Sequence, residues 1–412
     1  MQLHRRHLLC GAAASAALTF PGFAFGQAGA TDKRVLIVIQ RGAMDGLAAL
    51  PPVGDPNYAG LRGAMAFQRN GDKSALPLTD TFGLHPSLVK LKVMYAAGEV
   101  APMHAVATGY RDRSHFDGQN ILESGASAPF ARPDGWLNKA LGALPRSRSE
   151  MGIALSAQAP LILRGATPVS TWSPSTLPEV QTDTMSRLMA LYQARDPQLA
   201  NALQSAMNSN TIASDATMND AAGAAMDSPQ NGQNGGGRYT GRALVPLAQV
   251  AARFLKDPQG PVAAVVDMTG WDTHANQGLD QGVLARNLTL LDDGLDAFKT
   301  EMGPAWRNTV VIVCTEFGRT ARPNGSAGTD HGTGAAALLL GGAVTGGRVL
   351  ADWPGLADGS LYQNRDLRPT TDLRAVFKGV LSDHLRVPNA TLDTEAFPDS
   401  AAVRPMQGLI RA

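Results

Sequence analysis

The chain has 412 residues, with 36 basic and 35 acidic side chains for a formal charge of +1, so its overall charge points to neither nucleic acid nor an anionic membrane surface as a partner. Aromatic residues make up 6 %, while 44 glycines and 26 prolines indicate many turns and long shaped loops and exclude a helical bundle. The length accommodates one large α/β domain with insertions and a sizeable core.

In chain order, the first segment is MQLHRRHLLCGAAASAALTFPGFAFGQAGA, residues 1–30, with a basic start, an apolar run and a small-residue end. This is the layout of a cleaved export signal. Arg5 and Arg6, followed by His7, Leu8 and Leu9, are similar to a twin-arginine signal, which implies the twin-arginine export machinery as a partner and a periplasmic or extracellular location. An ordinary secretory signal leads to the same side of the membrane. Cleavage is expected near Gly26 or Ala30. Cys10 lacks the small residues that precede a lipoprotein cysteine, so no acyl anchor is read there. Cys314 then stands alone after the leader, which excludes an intrachain disulfide; within TVVIVCTEF it reads as a small buried hydrophobe. Beyond the leader no apolar run reaches the ~18 residues that span a bilayer, so no stable membrane insertion is expected after signal removal.

Residues 31–412 are expected to form a single α/β domain. RVLIVIQ (34–40) predicts a buried strand, and RGAMDG places Asp45 on a glycine-flanked loop beyond it. HPSLVKLKVMYAAG predicts a helix, VAPMHAVA (100–107) a weaker strand, SHFDGQNILES a helix with Ser114 at its N-cap, and MGIALS (151–156) another weak strand. A helix-rich stretch follows from about 177 to 207. From about 208 to 237 the chain runs NSNTIASDATMNDAAGAAMDSPQNGQNGGG, too poor in large apolar residues to offset its ordering entropy, and reads as a mobile insertion. TGRALVPLAQVAARFLKD predicts a helix, PVAAVVDM (261–268) a strand, and GVLARNLTLLDDGLDAFKTEM a helix. TVVIVCTEF (309–317) and AAALLLGG (335–342) complete the strands. Continuous apolar strands alternating with helices predict a doubly wound, mainly parallel sheet covered on both faces.

Ligands of such sheets bind beyond the carboxyl ends of the strands. Those ends carry Asp45, then Asp272 and His274 in TGWDTH, then Glu316 and Arg319 in TEFGRT; Asp330 and His331 in NGSAGTDHGTG precede the next strand. Carboxylates and imidazoles converging from several loops suit a divalent cation such as Zn, Mn, Mg or Ca, which would also offset the repulsion among the acids. Plainer roles stand beside this one. Asp45 can be a helix N-cap, His274 can bond a carbonyl, and Glu316 can pair with Arg319. Asp330-His331-Gly332, set among glycines that let a backbone approach a ligand closely, is the hardest to read as scaffold. Trp271 is expected to pack the loop, with Asn276 and Gln277 capping the next helix or bracing the ligands. Arg111 and Arg113 before the helix at Ser114 form either an anion site or a solvated pair around a plain cap.

The blocks RGAMDGL, RSHFDGQ, GWDTHANQ, TEFGRTARPNGSAGTDHGTG, GGAVTGGRV and DLRPTTDLRAVF together resemble the bacterial domain-of-unknown-function 1501 family, from about Val35 to the C-terminus. That family is similar in turn to the alkaline phosphatase and sulfatase superfamily, whose members use a two-metal site on a doubly wound sheet. The resemblance implies metal ligation by Asp45, by Asp272 with His274, by Glu316, and by His331 with Asp330, and a nucleophile at Ser114 with Arg113 balancing the anion. One departure stands out: superfamily members usually have Asp-His where this chain has Glu316-Phe317, so one imidazole is missing from one metal position. The implied function is an exported metal-dependent hydrolase of small phosphate, sulfate or related esters. The alternative is an exported, non-catalytic binding or assembly protein that keeps the fold and a structural metal.

Overall fold

The computed structural model describes residues 31–145, 148–174, 182–213 and 244–411. The leader and residues 214–237 of the low-complexity stretch lie outside the described residues. The strands are β1 (Arg34–Gln40), β2 (Leu76–Pro77), β3 (Gly83–Leu84), β4 (Val100–Ala107), β5 (Gly152–Ala154), β6 (Val169–Thr171), β7 (Ala263–Met268), β8 (Thr309–Cys314), β9 (Ala335–Leu340) and β10 (Thr371–Asp372). β2 and β3 form a small hairpin; the other eight make one sheet in the order β10-β4-β9-β8-β1-β7-β5-β6.

The six expected strands are all present, and the sheet is the expected doubly wound one with a single reversed member. β1 pairs in parallel with β7 and β8, whereas β9 runs antiparallel to both β4 and β8. That reversal matters for the site. The chain enters β9 at the edge where β1, β4, β7 and β8 end, so residues just before β9 share that edge with residues just after the others.

The α-helices of four or more described residues are α1 (Gly46–Ala49), α2 (Tyr58–Arg62), α3 (Val89–Ala96), α4 (His115–Ser124), α5 (Trp136–Gly142), α6 (Thr182–Arg195), α7 (Pro197–Ala213), α8 (Leu244–Lys256), α9 (Val283–Met302) and α10 (Leu373–Asp383). Successive strand residues point to opposite faces, and in β1 both sets are buried. Leu36 and Val38 pack with Leu247, Val250, Leu288 and Leu291 of α8 and α9. Val35, Ile37 and Ile39 pack with Leu137 and Leu141 of α5 and Val376 and Phe377 of α10. Two covered faces explain why the strand reads as an unbroken apolar run.

The low-complexity stretch does not open as a loop at 208. α7 continues to Ala213, because Ala213 joins the core cluster with Ile212 packed against it. Among the described residues no helix is long and apolar enough to cross a membrane.

Candidate metal centre

Four segments meet at the carboxyl edge of β1, β4, β7 and β8: the turn after β1, the start of α4 after β4, the loop after β7, and the connection from β8 to β9. The two arms of that last connection are zipped together, with Thr320 N donating to Asp330 O at 2.9 Å, Gly332 N to Gly318 O at 2.8 Å and Gly318 N to Thr333 O at 3.0 Å. Gly332 is required there, since a Cβ would lie 2.4 Å from the Arg319 carbonyl carbon. The close approach expected of this glycine is thus to backbone.

Arg319 ties the segments to one another from a fully buried side chain. It donates to Ala43 O at 2.6 Å, Gly42 O at 2.6 Å, Thr329 O at 3.0 Å and Trp271 O at 3.2 Å, and also to Asp272 Oδ1. The expected Glu316–Arg319 pair therefore does not form. A fork of five donors matches a ring of carbonyls contributed by three segments, and Glu316 turns to an imidazole instead.

On this frame three imidazoles converge. His331 Nε2 lies 2.9 Å from His115 Nε2 and 2.9 Å from His274 Nε2. The Asp272 carboxylate sits among them, with Oδ1 3.0 Å from His274 Nε2 and 3.4 Å from His331 Nε2, and Oδ2 3.4 Å from His115 Nε2. Each opposite ring nitrogen has an acceptor. His115 Nδ1 meets Glu316 Oε1 at 2.8 Å, His274 Nδ1 meets Asp330 Oδ1 at 3.1 Å, and His331 Nδ1 meets the Arg113 carbonyl at 2.9 Å. Carboxylates and carbonyls only accept, so each Nδ1 is the donor, and each Nε2 is the nitrogen turned to the centre.

Glu316 has no exposed side-chain surface. Its Oε1 also accepts Gly42 N at 2.9 Å and Gln119 Nε2 at 3.1 Å, and its Oε2 accepts Thr315 Oγ1 at 2.9 Å. Burial alone would raise its pKa, but the His115 and Gln119 hydrogen bonds hold it below the usual range. The Asp330 carboxyl is likewise lowered, first by the Asn324 amide and then by His274. Burial disfavours a charge on His115, yet bonds to Asp272 and Glu316 raise its pKa to about 9. Burial would also raise Asp272, and His115, His331 and Arg319 outweigh it, holding that carboxyl far below the ordinary value.

Of the residues expected to bind metal, Asp272, His274 and His331 meet directly, while Glu316 and Asp330 stand behind imidazoles. Asp45 is buried elsewhere. It caps α1 by accepting from Leu47 N at 3.2 Å, pairs with Arg62 Nη2 at 2.5 Å and accepts from Gln277 Nε2 at 2.7 Å. Gln277 in turn accepts from Thr273 and Thr329 hydroxyls, a brace between loops. Ser114 holds the N-cap position of α4 without a capping side-chain bond. Arg113 is drawn away by Asp366, at 2.8 and 2.9 Å, and by Gln363 at 2.7 Å, and Arg111 bonds the carbonyls of Thr108 and Tyr110. Neither guanidinium matches the expected anion site. Trp271 is fully buried, packing the loop.

His115 is the centre's unforeseen member. It enters from the first position of α4, and its ring stacks on Phe317 with centroids 5.0 Å apart and planes at 29°. Its sequence signals are its place directly after an N-cap serine and its position within the RSHFDGQ block.

Unprotonated Nε2 atoms facing one another around a carboxylate repel unless a positive charge lies between them. The donor set fits a divalent cation. Imidazoles held at Nδ1 by carboxylates or a carbonyl are the usual support of metal ligands, and His115, Asp272 and His331 bring one donor atom each within 4.8 Å of one another. Zn–N bonds of about 2.0–2.1 Å place tetrahedral ligands about 3.3 Å apart, so the rings need part only slightly. The centre is open on the side of Asp272, His274 and Asp330, whose side chains are 44, 44 and 49 % exposed.

A family model described as Protein of unknown function (DUF1501) matches residues 32–394. No curated protein matches the chain. Among solved structures it is similar to Ps i-CgsB in complex with k-i-k-neocarrahexaose, at 10 % identity and TM-score 0.45, with 91 % of this chain and 77 % of that one covered. It is similar also to the C-terminal periplasmic domain of EcEptC from Escherichia coli in complex with Zn, at 9 % identity and TM-score 0.36, covering 76 % and 74 %. Alkaline phosphatase from the Antarctic bacterium TAB5 aligns at 12 % identity and TM-score 0.34, covering 78 % and 95 %. These likenesses carry no argument about chemistry, which rests on the side chains above.

Proposed function

The chain belongs to the DUF1501 family, and we propose that it is an exported, metal-dependent hydrolase of small phosphate, sulfate or related esters. The observation that supports this is the convergence of three Nδ1-anchored imidazoles on one carboxylate at an edge open to solvent. The ester class follows the resemblance of the motifs, and export follows the leader and its paired arginines.

His115, His331 and Asp272 would hold the metal. An imidazole-rich set favours Zn-like ions over Mg or Ca. When bound, the ion supplies Lewis acidity at an ester oxygen and balances its charge. The chain's own residues do the rest. His274 lies at the rim with Asp330 on its Nδ1, so its Nε2 can take a proton from an attacking water and return it to the leaving group. Asp330 holds the tautomer that this requires. Arg319 fixes Asp272 from below, and the N-terminus of α4, where His115 begins the helix, favours an anion. A second nucleophile is Ser114, beside His115 in the chain and free of a capping role. Unchanged turnover in Ser114→Ala assigns the attack to water, and a loss of 100-fold or more assigns it to the serine.

The test is metal content of the purified protein, followed by turnover of a phospho- and sulfo-ester panel by wild type, Asp272→Ala and Asp272→Asn. Stoichiometric metal and turnover lost in both variants are expected. Substoichiometric metal, or turnover equal in wild type and variants, overturns the hydrolase reading. Stoichiometric metal with no turnover supports instead a binding or assembly protein with a structural ion.

A further inference from the structure

Resting on that metal-centre reading, we infer that the centre takes a single metal ion, and that the Arg62 guanidinium holds the place at Asp45 that a second cation would otherwise fill. The motif resemblance implies two metals with Asp45 as a ligand; the side-chain partners point elsewhere.

Each carboxylate near the edge has an identifiable counter-charge or proton donor. Asp45 is 1 % exposed and faces Arg62, itself 1 % exposed, across 2.5 Å. The same Oδ2 accepts Gln277 Nε2 at 2.7 Å, and Oδ1 accepts Leu47 N at 3.2 Å. A carboxylate offers about four lone-pair sites and three are taken here, so a metal at Asp45 would have one site left, inside a packed interior, and would sit against a guanidinium that remains charged at any physiological pH. Two cations sharing one buried carboxylate repel strongly where water is excluded.

Glu316 is committed in the same way. Its Oε1 takes three donors, His115 Nδ1, Gly42 N and Gln119 Nε2, while the Thr315 hydroxyl is shared between Oε2 and the Gln40 carbonyl, and swinging the carboxylate to a metal would release the ring it orients. Asp330 faces the Nδ1 side of His274 and also accepts Asn324 Nδ2 at 2.9 Å, away from the Nε2 cluster. Asp272 alone has its carboxylate among the Nε2 atoms. Among the described residues, the donor atoms of His115, Asp272 and His331 converge within 4.8 Å of one another, with His274 Nε2 beside the last two in the same cluster. Asp272 Oδ1 is shared with Arg319, but the side chain is half exposed and Oδ2 faces His115 Nε2 without a guanidinium, so one carboxylate open to the ring nitrogens corresponds to one ion.

The experiment is a metal titration of the chelator-stripped protein with Co²⁺, read by its visible absorption, and with Zn²⁺, read by calorimetry and native mass. Wild type should saturate at one equivalent, and Asp45→Asn, which keeps the cap, should also take one with an unchanged Co²⁺ spectrum. Two equivalents in wild type, or loss of binding or a changed spectrum in folded Asp45→Asn, overturns the single-ion inference while leaving the metal reading in place. Zero equivalents in wild type overturns both. If Asp45→Asn fails to fold, the wild-type stoichiometry still decides.

Discussion

Glu316 Oε1 accepts the Nδ1 proton of His115 at 2.8 Å, joining a strand exit to a helix start 201 residues earlier in the chain. The carboxylate has no exposed surface, so the imidazole is both its charge partner and its cover.

Removing that partner should be felt as stability before it is felt as chemistry. His115→Ala is expected to lower the unfolding free energy by about 1–3 kcal/mol, the cost of leaving a buried polar group short of a hydrogen bond. Adding Glu316→Gln should recover part of it. Urea unfolding of the two single variants and the double variant measures the coupling, and strict additivity would count against the pairing.

Arg319 should tolerate no simple replacement. Arg319→Met removes the bonds to Gly42, Ala43, Trp271 and Thr329 carbonyls and to Asp272, and is expected to destabilise the fold by about 3–5 kcal/mol. Arg319→Lys should rescue little, because an ammonium cannot reproduce the planar fork. A lysine variant as stable as wild type in thermal melts would show that the carbonyl ring needs charge alone.

Two buried imidazoles should make the fold acid-sensitive. Burial lowers the pKa of His104 to about 4 and that of His384 to about 4, from 6.5. Between those values the unfolded chain binds protons that the folded chain refuses, so their contribution is complete above pH 6.5 and is lost as pH falls toward 4. Each adds a slope of up to about 1.4 kcal/mol per pH unit. His384→Gln should remove one such share from stability measured across pH 4 to 7; an unaltered slope would exclude it.

Cys314 should be silent in the folded protein. It is buried, and burial raises its pKa to about 12, so the thiolate that alkylating reagents need is absent at neutral pH. Iodoacetamide followed by intact mass should show no adduct under native conditions and one after denaturation. Native labelling would place the residue near an opening route.

Much of this was legible from the sequence. Arg34–Gln40 reads as a strand over its whole observed length, because both faces of β1 are covered and every residue is apolar or at an end. β6 and β10, at three and two residues, are too short for a period to form; β10 pairs because the eight-residue β4 offers an edge, and β6 adds to the equally short β5, itself held by β7. Asp272, His274 and His331 could be found from strand exits and glycine-rich context. His115 could not, since no local pattern tells whether the first side chain of a helix faces solvent or Glu316. Asp45 shows the converse: the loop aspartate was plain, but its counter-ion, Arg62, lies 17 residues away and only packing reveals it. The Asp272 partnership of Arg319 is equally tertiary, decided by which carbonyls surround the fork.

The reversed direction of β9 has a consequence for how this protein can vary. Antiparallel neighbours need no crossover helix, so the whole connection from Thr315 to Gly334 stays at one edge and carries Glu316, Arg319, Asp330 and His331 as a single cassette. Its arms are clamped near the sheet by the 318–320 and 330–333 bonds, while its tip, around Asn324 to Gly328, lies beyond them. The tip is in turn tied to the loop after β7, with Asn276 N and Gln277 N donating to Ser326 O and Ala327 O and Asn324 Nδ2 to His274 O and Asp330 Oδ1, so a change at the outer wall of the cleft is passed on to His274 while the strands beneath stay in place.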